Sequence, residues 1–215
     1  MAESPTIKTI SNFKSVLKGG GARPNLFEVQ IPEFPAFVTK DQETLKDLTF
    51  LCKAAQLPAS NVAPVDVPFR GRILKVAGDR TFETWTITVI NDEDFKIRHA
   101  MEMWMNGIAK LSNYTGATNP TSYMRDAYVY QLGRGGKGKE TINSVPDAGS
   151  GKVGTGTKSN VLRSYRFYDV FPTNISAIDL AYDTTDTLED FTVELQVQWF
   201  EIGAGLEHSH ILVNK

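Results

Sequence analysis

Residues 81–90, TFETWTITVI, and residues 191–200, FTVELQVQWF, carry the pattern on which the fold turns. In the first, Trp85, Ile87 and Val89 alternate with Thr84, Thr86 and Thr88; in the second, Val193, Leu195, Val197 and Trp199 alternate with Thr192, Glu194, Gln196 and Gln198. Successive side chains of a strand point to opposite faces, so each segment reads as a β-strand with one dry and one wet face. Threonine suits such a place, because branching at Cβ favours the pleated backbone while the hydroxyl tolerates water. An ordinary sheet facing solvent accounts for one strand of this kind. Two long wet faces in a chain of 215 residues also fit the wall of a water-filled lumen.

Outward from these segments, the same period marks other strands. NLFEVQI at 25–31 sets Phe27, Val29 and Ile31 against Glu28 and Gln30, and Pro32 and Pro35 close it. LTFLCKAAQLP at 48–58 reads as a strand through Leu48, Phe50 and Cys52, and further strands are expected at 124–132, 164–171 and 175–182. Between the two opening segments the period changes. NDEDFKIRHAMEMWMNGIAKL at 91–111 offers Asn91 as a helix N-cap and Asp92, Glu93 and Asp94 in the first turn, where carboxylates complement the helix dipole. Ile97, Met101, Trp104, Ile108 and Leu111 then recur at helical spacing, a stripe that packs on the sheet. The expected fold is mainly β (α+β), an antiparallel β-barrel or sandwich with one packed α-helix.

The rest reads as appendage. Residues 1–21 form an arm in which Phe13, Val16 and Leu17 share one face of a short helix that GGG at 19–21 breaks. Pro58, Pro64 and Pro68 remove backbone donors and predict an extended, loop-like excursion from 58 to 72. Residues 133–163 are glycine-rich and basic, an insertion between two strands, and 203–215 are a polar tail; residues 22–202 make one β domain.

Composition narrows the function. The formal charge of -2 supplies no basic field to hold nucleic acid. Cys52 is the only cysteine, which excludes an internal disulfide and a cysteine-built zinc site. No stretch approaches a membrane-spanning run, and no signal-peptide core stands near residue 1, so the chain is expected to be soluble and intracellular when made. LGRGGKGKET at 132–141 has the spacing of a phosphate-binding loop at Gly133, Gly138 and Lys139, but Glu140 stands where the magnesium-binding hydroxyl is needed and no helical pattern follows. His99, His208 and His210 lack partners at the spacing of a metal site or a catalytic triad, and Asp79 and Arg80 in AGDRTF suit a turn or an interface better than acid–base chemistry. The sequence points to no catalytic residue, metal or cofactor.

Several stretches together resemble the tail tube proteins of contractile-tailed bacteriophages: ARPNLFEVQI at 22–31, LCKAAQLPASNV at 51–62, KVAGDRTFETWTITVINDEDF at 75–95, FPTNISAIDLAYD at 171–183 and LEDFTVELQVQWFE at 188–201. The resemblance implies a subunit of hexameric rings that stack into a tube inside a contractile sheath, with a continuous lumen barrel through which double-stranded DNA passes without specific binding. It implies a place in the virion tail after assembly in the host cytoplasm, with the sheath, baseplate, tail terminator and tape measure proteins as partners. On that reading Thr84, Thr86, Thr88, Thr192, Glu194, Gln196 and Gln198 face the lumen, and none of them is basic, as a wall that must not hold DNA requires. Arg23, Pro24, Asn25, Pro58, Pro64, Pro68, Asp79 and Arg80 fall at subunit or ring interfaces, and the 133–163 insertion lies outside the tube or at a ring rim. A tube of a bacterial contractile injection or type VI secretion machine shares this architecture. A carbohydrate-binding β-sandwich also shows alternating strands, but it needs exposed aromatic platforms, whereas Trp85 and Trp199 fall on the dry faces of the pattern.

Overall fold

The computed structural model describes residues 9–17, 21–38, 42–134, 161–183 and 185–203. The two opening segments are neighbours in one antiparallel sheet: β5 (Trp85–Ile90) pairs with β8 (Asp190–Gln196), Thr86 opposite Glu194 and Thr88 opposite Thr192. Their dry residues, Trp85, Ile87, Val89, Phe191, Val193 and Leu195, are buried. The expected alternation therefore holds along both strands, and the two wet faces prove to be one surface.

The other strands are β1 (Phe27–Gln30), β2 (Cys52–Ala55), β3 (Asn61–Phe69), β4 (Arg72–Thr81), β6 (Arg125–Leu132), β7 (Val161–Ile175) and β9 (Trp199–Gly203). In the main sheet the order is β1-β6-β7-β8-β5-β2, with β9 also on β7, while β3 and β4 form a separate two-stranded ribbon. Every pairing is antiparallel. Among the described residues the sheet stays open, ending at β1 and β2, and they form no closed barrel.

One fold in the sheet explains its shape. β8 and β9 lie along the same side of β7 in one register: Gln196 opposes Phe171, and three residues further along each strand Trp199 opposes Tyr168. Between them Asp169 takes a left-handed conformation (φ 53°), and β6 pairs past it with a register shift. Extra residues at a bulge bend a strand and reverse which residues point inward. Phe167 and Val170 are accordingly both buried, as is Val197, while Phe200 opposes Phe167 and packs against the core. Trp199 thus leaves the dry face on which strict alternation placed it, and is 40% exposed. The halves meet over one core, where the Trp85 and Phe167 rings stack at 4.4 Å.

The helices correct two expectations. α2 (Gln42–Leu51) occupies part of the strand expected through Leu48 and Phe50; Leu45 and Leu48 face the core at helical spacing, and Phe50 points out. A short apolar run does not separate strand from helix by itself, and Gln, Glu and Lys around it favour the helix. α3 (Lys96–Ile108) buries Ile97, Ala100, Met101 and Trp104, but starts at Phe95, not at Asn91, and stops before Leu111, which is exposed. Asn91 instead pins the approach to β8: its backbone N–H donates to the Glu189 carbonyl at 2.8 Å and its side chain to the Glu189 carboxylate at 2.7 Å. Two short helices complete the set, α1 (Ile10–Val16) in the arm and α4 (Pro120–Tyr123).

The strand expected at 175–182 is absent. β7 ends at Ile175; one more backbone bond follows, from the Ser176 N–H to the Thr192 carbonyl at 2.8 Å, and the chain then leaves the sheet. β7 begins at Val161, inside the segment read as an insertion, whereas 135–160 and the tail beyond Gly203 lie outside the described residues.

Candidate assembly interface

The first candidate surface is the wet face of β7, β8, β5 and β2. Thr86, Glu194 and Asn174 stand in one row across it, and Ala54, Thr88 and Thr192 in the next. Hydroxyls add bonds along the β7–β8 seam: the Thr192 N–H donates to the Ser176 hydroxyl at 2.9 Å, and the Thr173 hydroxyl donates to the Glu194 carbonyl at 3.1 Å. Thr86, Thr88, Thr192, Glu194 and Gln196 are half-buried on this face. Thr84 and Gln198 are exposed but lie off the strands, in the link before β5 and in the bend between β8 and β9. A single lysine reaches the rim, Lys53, and it is ion-paired with Asp190. The face is thus hydroxyl, amide and carboxylate, without an unpaired cation among its strand residues.

The opposite half of the sheet has a different outer face, which the sequence reading did not single out. Arg166 on β7 is only 7% exposed. Its Nη2 donates to Asp126 Oδ2 at 2.6 Å, and its guanidinium lies 4.3 Å from the Tyr168 ring and 5.6 Å from that of Tyr128. Tyr168 stacks on Trp199 at 3.8 Å and donates its hydroxyl to Glu201 at 2.8 Å. Burial, with the bond to Glu201, pushes the Tyr168 phenol up to about 12. Every member of this cluster sits on a strand at alternating positions, so its signal was present in DAYVYQ and SYRFY; what was missing was the pairing that brings Asp126, Arg166 and Glu201 together.

The third surface is the ribbon. Ala55 opposes Ile87, and six residues further along each strand Asn61 opposes Thr81, so β2–β3 and β4–β5 keep a single register across the gap. Gln56 N–H to the Thr86 carbonyl, 3.4 Å, falls in that gap. The excursion expected to be loop-like is therefore the far part of one long hairpin. Arg70 and Gly71 make its tip with φ of 46° and 84°, the pair of positive values that a tight two-residue hairpin turn requires. Counting back from such a turn, Pro64 and Pro68 fall at positions that make no bond to β4, which is why proline is tolerated there.

Ribbon partners share a face. Val65 and Val76, Val67 and Leu74, then Phe69 and Arg72 form one side; Asp66 and Lys75, bridged at 3.1 Å, hold the other. Nothing among the described residues covers the apolar side, and Phe69 is 68% exposed. Asp79 and Arg80 lie on β4 at the root, and Pro58 in the link. Arg23, Pro24 and Asn25 are elsewhere, in an exposed turn before β1, where the Arg23 carbonyl accepts from Gln131 Nε2 at 2.8 Å. The structure gathers Pro64, Pro68, Asp79 and Arg80 on one element and keeps Arg23 to Asn25 apart from it. α1 also exposes Ile10, Phe13, Val16 and Leu17.

Comparison with known proteins places this architecture. The family model described as "Phage tail tube protein" matches residues 22–202. The chain is similar to the tail tube protein gp19 of Enterobacteria phage T4, at 31% identity over 85% of this chain and 93% of that one, and to the tail tube protein of Serratia phage KSP90, at 26% identity over 87% and 93%. Among solved structures, the sheath/tube terminator of an extracellular contractile injection system shares the fold, with a TM-score of 0.53, 11% identity, and coverage of 86% of this chain and 97% of that one.

Proposed function

Because the chain belongs to the phage tail tube protein family and is a structural component of a contractile phage's tail, not an enzyme, we propose that six copies close into a ring, that rings stack into a tube, and that the wet face of β7, β8, β5 and β2 lines its lumen. The observation that carries the reading is the open edges of the wet-face sheet: among the described residues it ends at β2 on one side and, past the last β6 partner at Val170, at the Phe171–Ile175 stretch of β7 on the other. A strand edge with free donors and acceptors is a hazard in a monomer and an assembly device in a ring, which closure uses up.

The dimensions support it. Four strands carry the wet face, so six copies supply about 24 strands; at ~4.8 Å spacing and ~40° tilt the barrel has a backbone diameter near ~48 Å, roughly 40 Å between side chains. Duplex DNA passes such a bore without contact on all sides. Thr86, Thr88, Thr192, Glu194 and Gln196, with Thr84 and Gln198 at the margins, give that wall hydroxyls, amides and carboxylates, and weak attraction for phosphate follows. The ribbon with Pro64, Pro68, Asp79 and Arg80, the link at Pro58, and the turn at Arg23 to Asn25 meet neighbouring copies. Sheath, baseplate, terminator and tape measure proteins are the chain's partners in the assembled tail, and the segment 133–163 lies outside the tube or at a ring rim.

Electron microscopy of the purified full-length chain tests this. Hollow six-fold rings or tubes are expected; a particle that stays monomeric at high concentration, or rings of another order, would sink the reading.

A further inference from the structure

Nothing among the described residues covers the ribbon's apolar face, and a surface that can receive it lies at the other end of the sheet. Between β7 and β8, the turn of chain from Ser176 through Asp190 encloses a groove of about 480 Å³, lined by Ile178, Asp179, Leu180, Leu188 and Glu189 among others. Leu180 and Leu188 are exposed there. The segment 176–190 carries Asp179, Asp183, Asp186, Glu189 and Asp190 and no lysine or arginine; Asp190 is ion-paired with Lys53 and Glu189 accepts from Asn91, which leaves Asp179, Asp183 and Asp186 for a partner. The ribbon tip is its complement: Phe69, with the Arg70 guanidinium 5.6 Å from its ring, then Gly71 and Arg72. We infer that the tip of one copy's ribbon docks in the 176–190 groove of a second copy, Phe69 against Leu180 and Leu188 and the two arginines against the carboxylates, and that this contact joins successive rings.

Topology gives the contact its direction. The ribbon leaves the body beyond Trp85, at the end of the sheet where Trp85 opposes Leu195; the groove lies at the other end, where Ile90 opposes Asp190. A ribbon in a groove therefore joins two copies head to tail, and the pair keeps one free ribbon and one free groove. Heterologous contacts of this kind propagate when rotation does not close them. The reach is sufficient, since the nine residues of β3 extend about 30 Å at ~3.3 Å each. The prolines decide the mode: Pro64 and Pro68 blunt the outer edge of β3, so the ribbon engages by its face and tip, not by adding a strand. Association of opposite charge at the tip also orients the approach.

The inference rests on the tube reading and names the receptor for its ribbon, so the test separates the two. Full-length chains carrying Arg70→Glu with Arg72→Glu, or Asp179→Arg with Asp183→Arg, are expected to keep the wild-type thermal melt and form single rings that no longer stack; the four changes together restore tubes. In a Cys52→Ser background, chains with Phe69→Cys mixed with chains bearing Leu180→Cys are expected to give a disulfide-linked pair on oxidation. Tubes of normal length from either reversal, failure of the combined variant to stack better than each alone, or no mixed disulfide in assembled tubes would overturn the ribbon-to-groove contact while leaving the ring standing. Wild-type chains that form no ring would overturn the tube reading and the contact with it.

Discussion

The hairpin spanning residues 52–90 keeps its register across the gap between its two parts, and those parts stand in two environments. At its base, β2 and β5 have a face against the core, and Ile87 and Val89 are fully buried. Beyond the gap, β3 and β4 carry side chains nearly as apolar, yet all but Gly78 are exposed on both faces. The strand pattern is the same in both parts. What differs is whether a second layer lies across it, and an isolated two-stranded ribbon is marginal in water without one. The base is a folding element; the ribbon has no second layer among the described residues, and the proposed contact with another copy would supply it.

The comparison is broken most forcefully at the base. Ile87→Ala removes buried methyl groups beside β8 and is expected to cost about 2–5 kcal/mol, read as a lower urea midpoint of the dissociated chain, with assembly lost as a consequence. A cost below about 1 kcal/mol would mean that the base is no better covered than the ribbon.

Val67→Ser with Leu74→Ser makes the converse test. Both residues share the uncovered ribbon face, so the dissociated chain should melt within about 0.5 kcal/mol of wild type, while tubes fail to form. A large loss of monomer stability would show that the ribbon face is packed within its own chain.

The wet face allows a third comparison, between the ribbon, proposed to touch a partner, and a face proposed only to border a channel. Thr86→Lys with Gln196→Lys should change stability by no more than about 0.5 kcal/mol each and leave rings intact. Repeated along a tail, the added charges attract phosphate, and genome ejection from particles with intact tails should slow at low ionic strength and recover as salt rises. Normal ejection at low salt would place this face away from the DNA path.

The smallest effect is expected from the far half of the sheet, where pH supplies the probe. The Tyr168 phenol is held up to about 12, by burial first and then by its bond to Glu201. A phenol raised in the fold stabilises it fully below the unfolded value near 10, and that contribution is lost as pH climbs through about 12. Tyr168→Phe should therefore leave the melt at neutral pH almost unmoved and flatten its decline between about pH 10 and 12; an unchanged alkaline slope would remove Tyr168 from the cause.

The legible and the hidden parts of this molecule divide along one physical line. Alternation in TWTITV and FTVELQ reports burial directly, because a strand's period of two holds whatever lies across from it; the wet-face residues Thr86, Thr88, Thr192, Glu194 and Gln196 were therefore readable in order. The stripe Ile97, Met101 and Trp104 was readable for the same reason at the helical period. Pairing is not local. That β5 and β8 are neighbours and that Asp126 reaches Arg166 depend on which edges come together. Trp199 shows the limit most plainly: its dry-side place in FTVELQVQW was sound until the bend opposite Asp169 reversed the faces, and only the packing of β9 on β7 decides that. The prolines of the ribbon are the counterpart, excluding a central strand by their chemistry while leaving the register of β3 on β4 to determine that each falls where no bond is lost. By itself the sequence determined which faces are dry and where regular structure begins, since both follow from side-chain period; the tertiary structure decided which faces meet, since that follows from edges and bulges far apart in the chain.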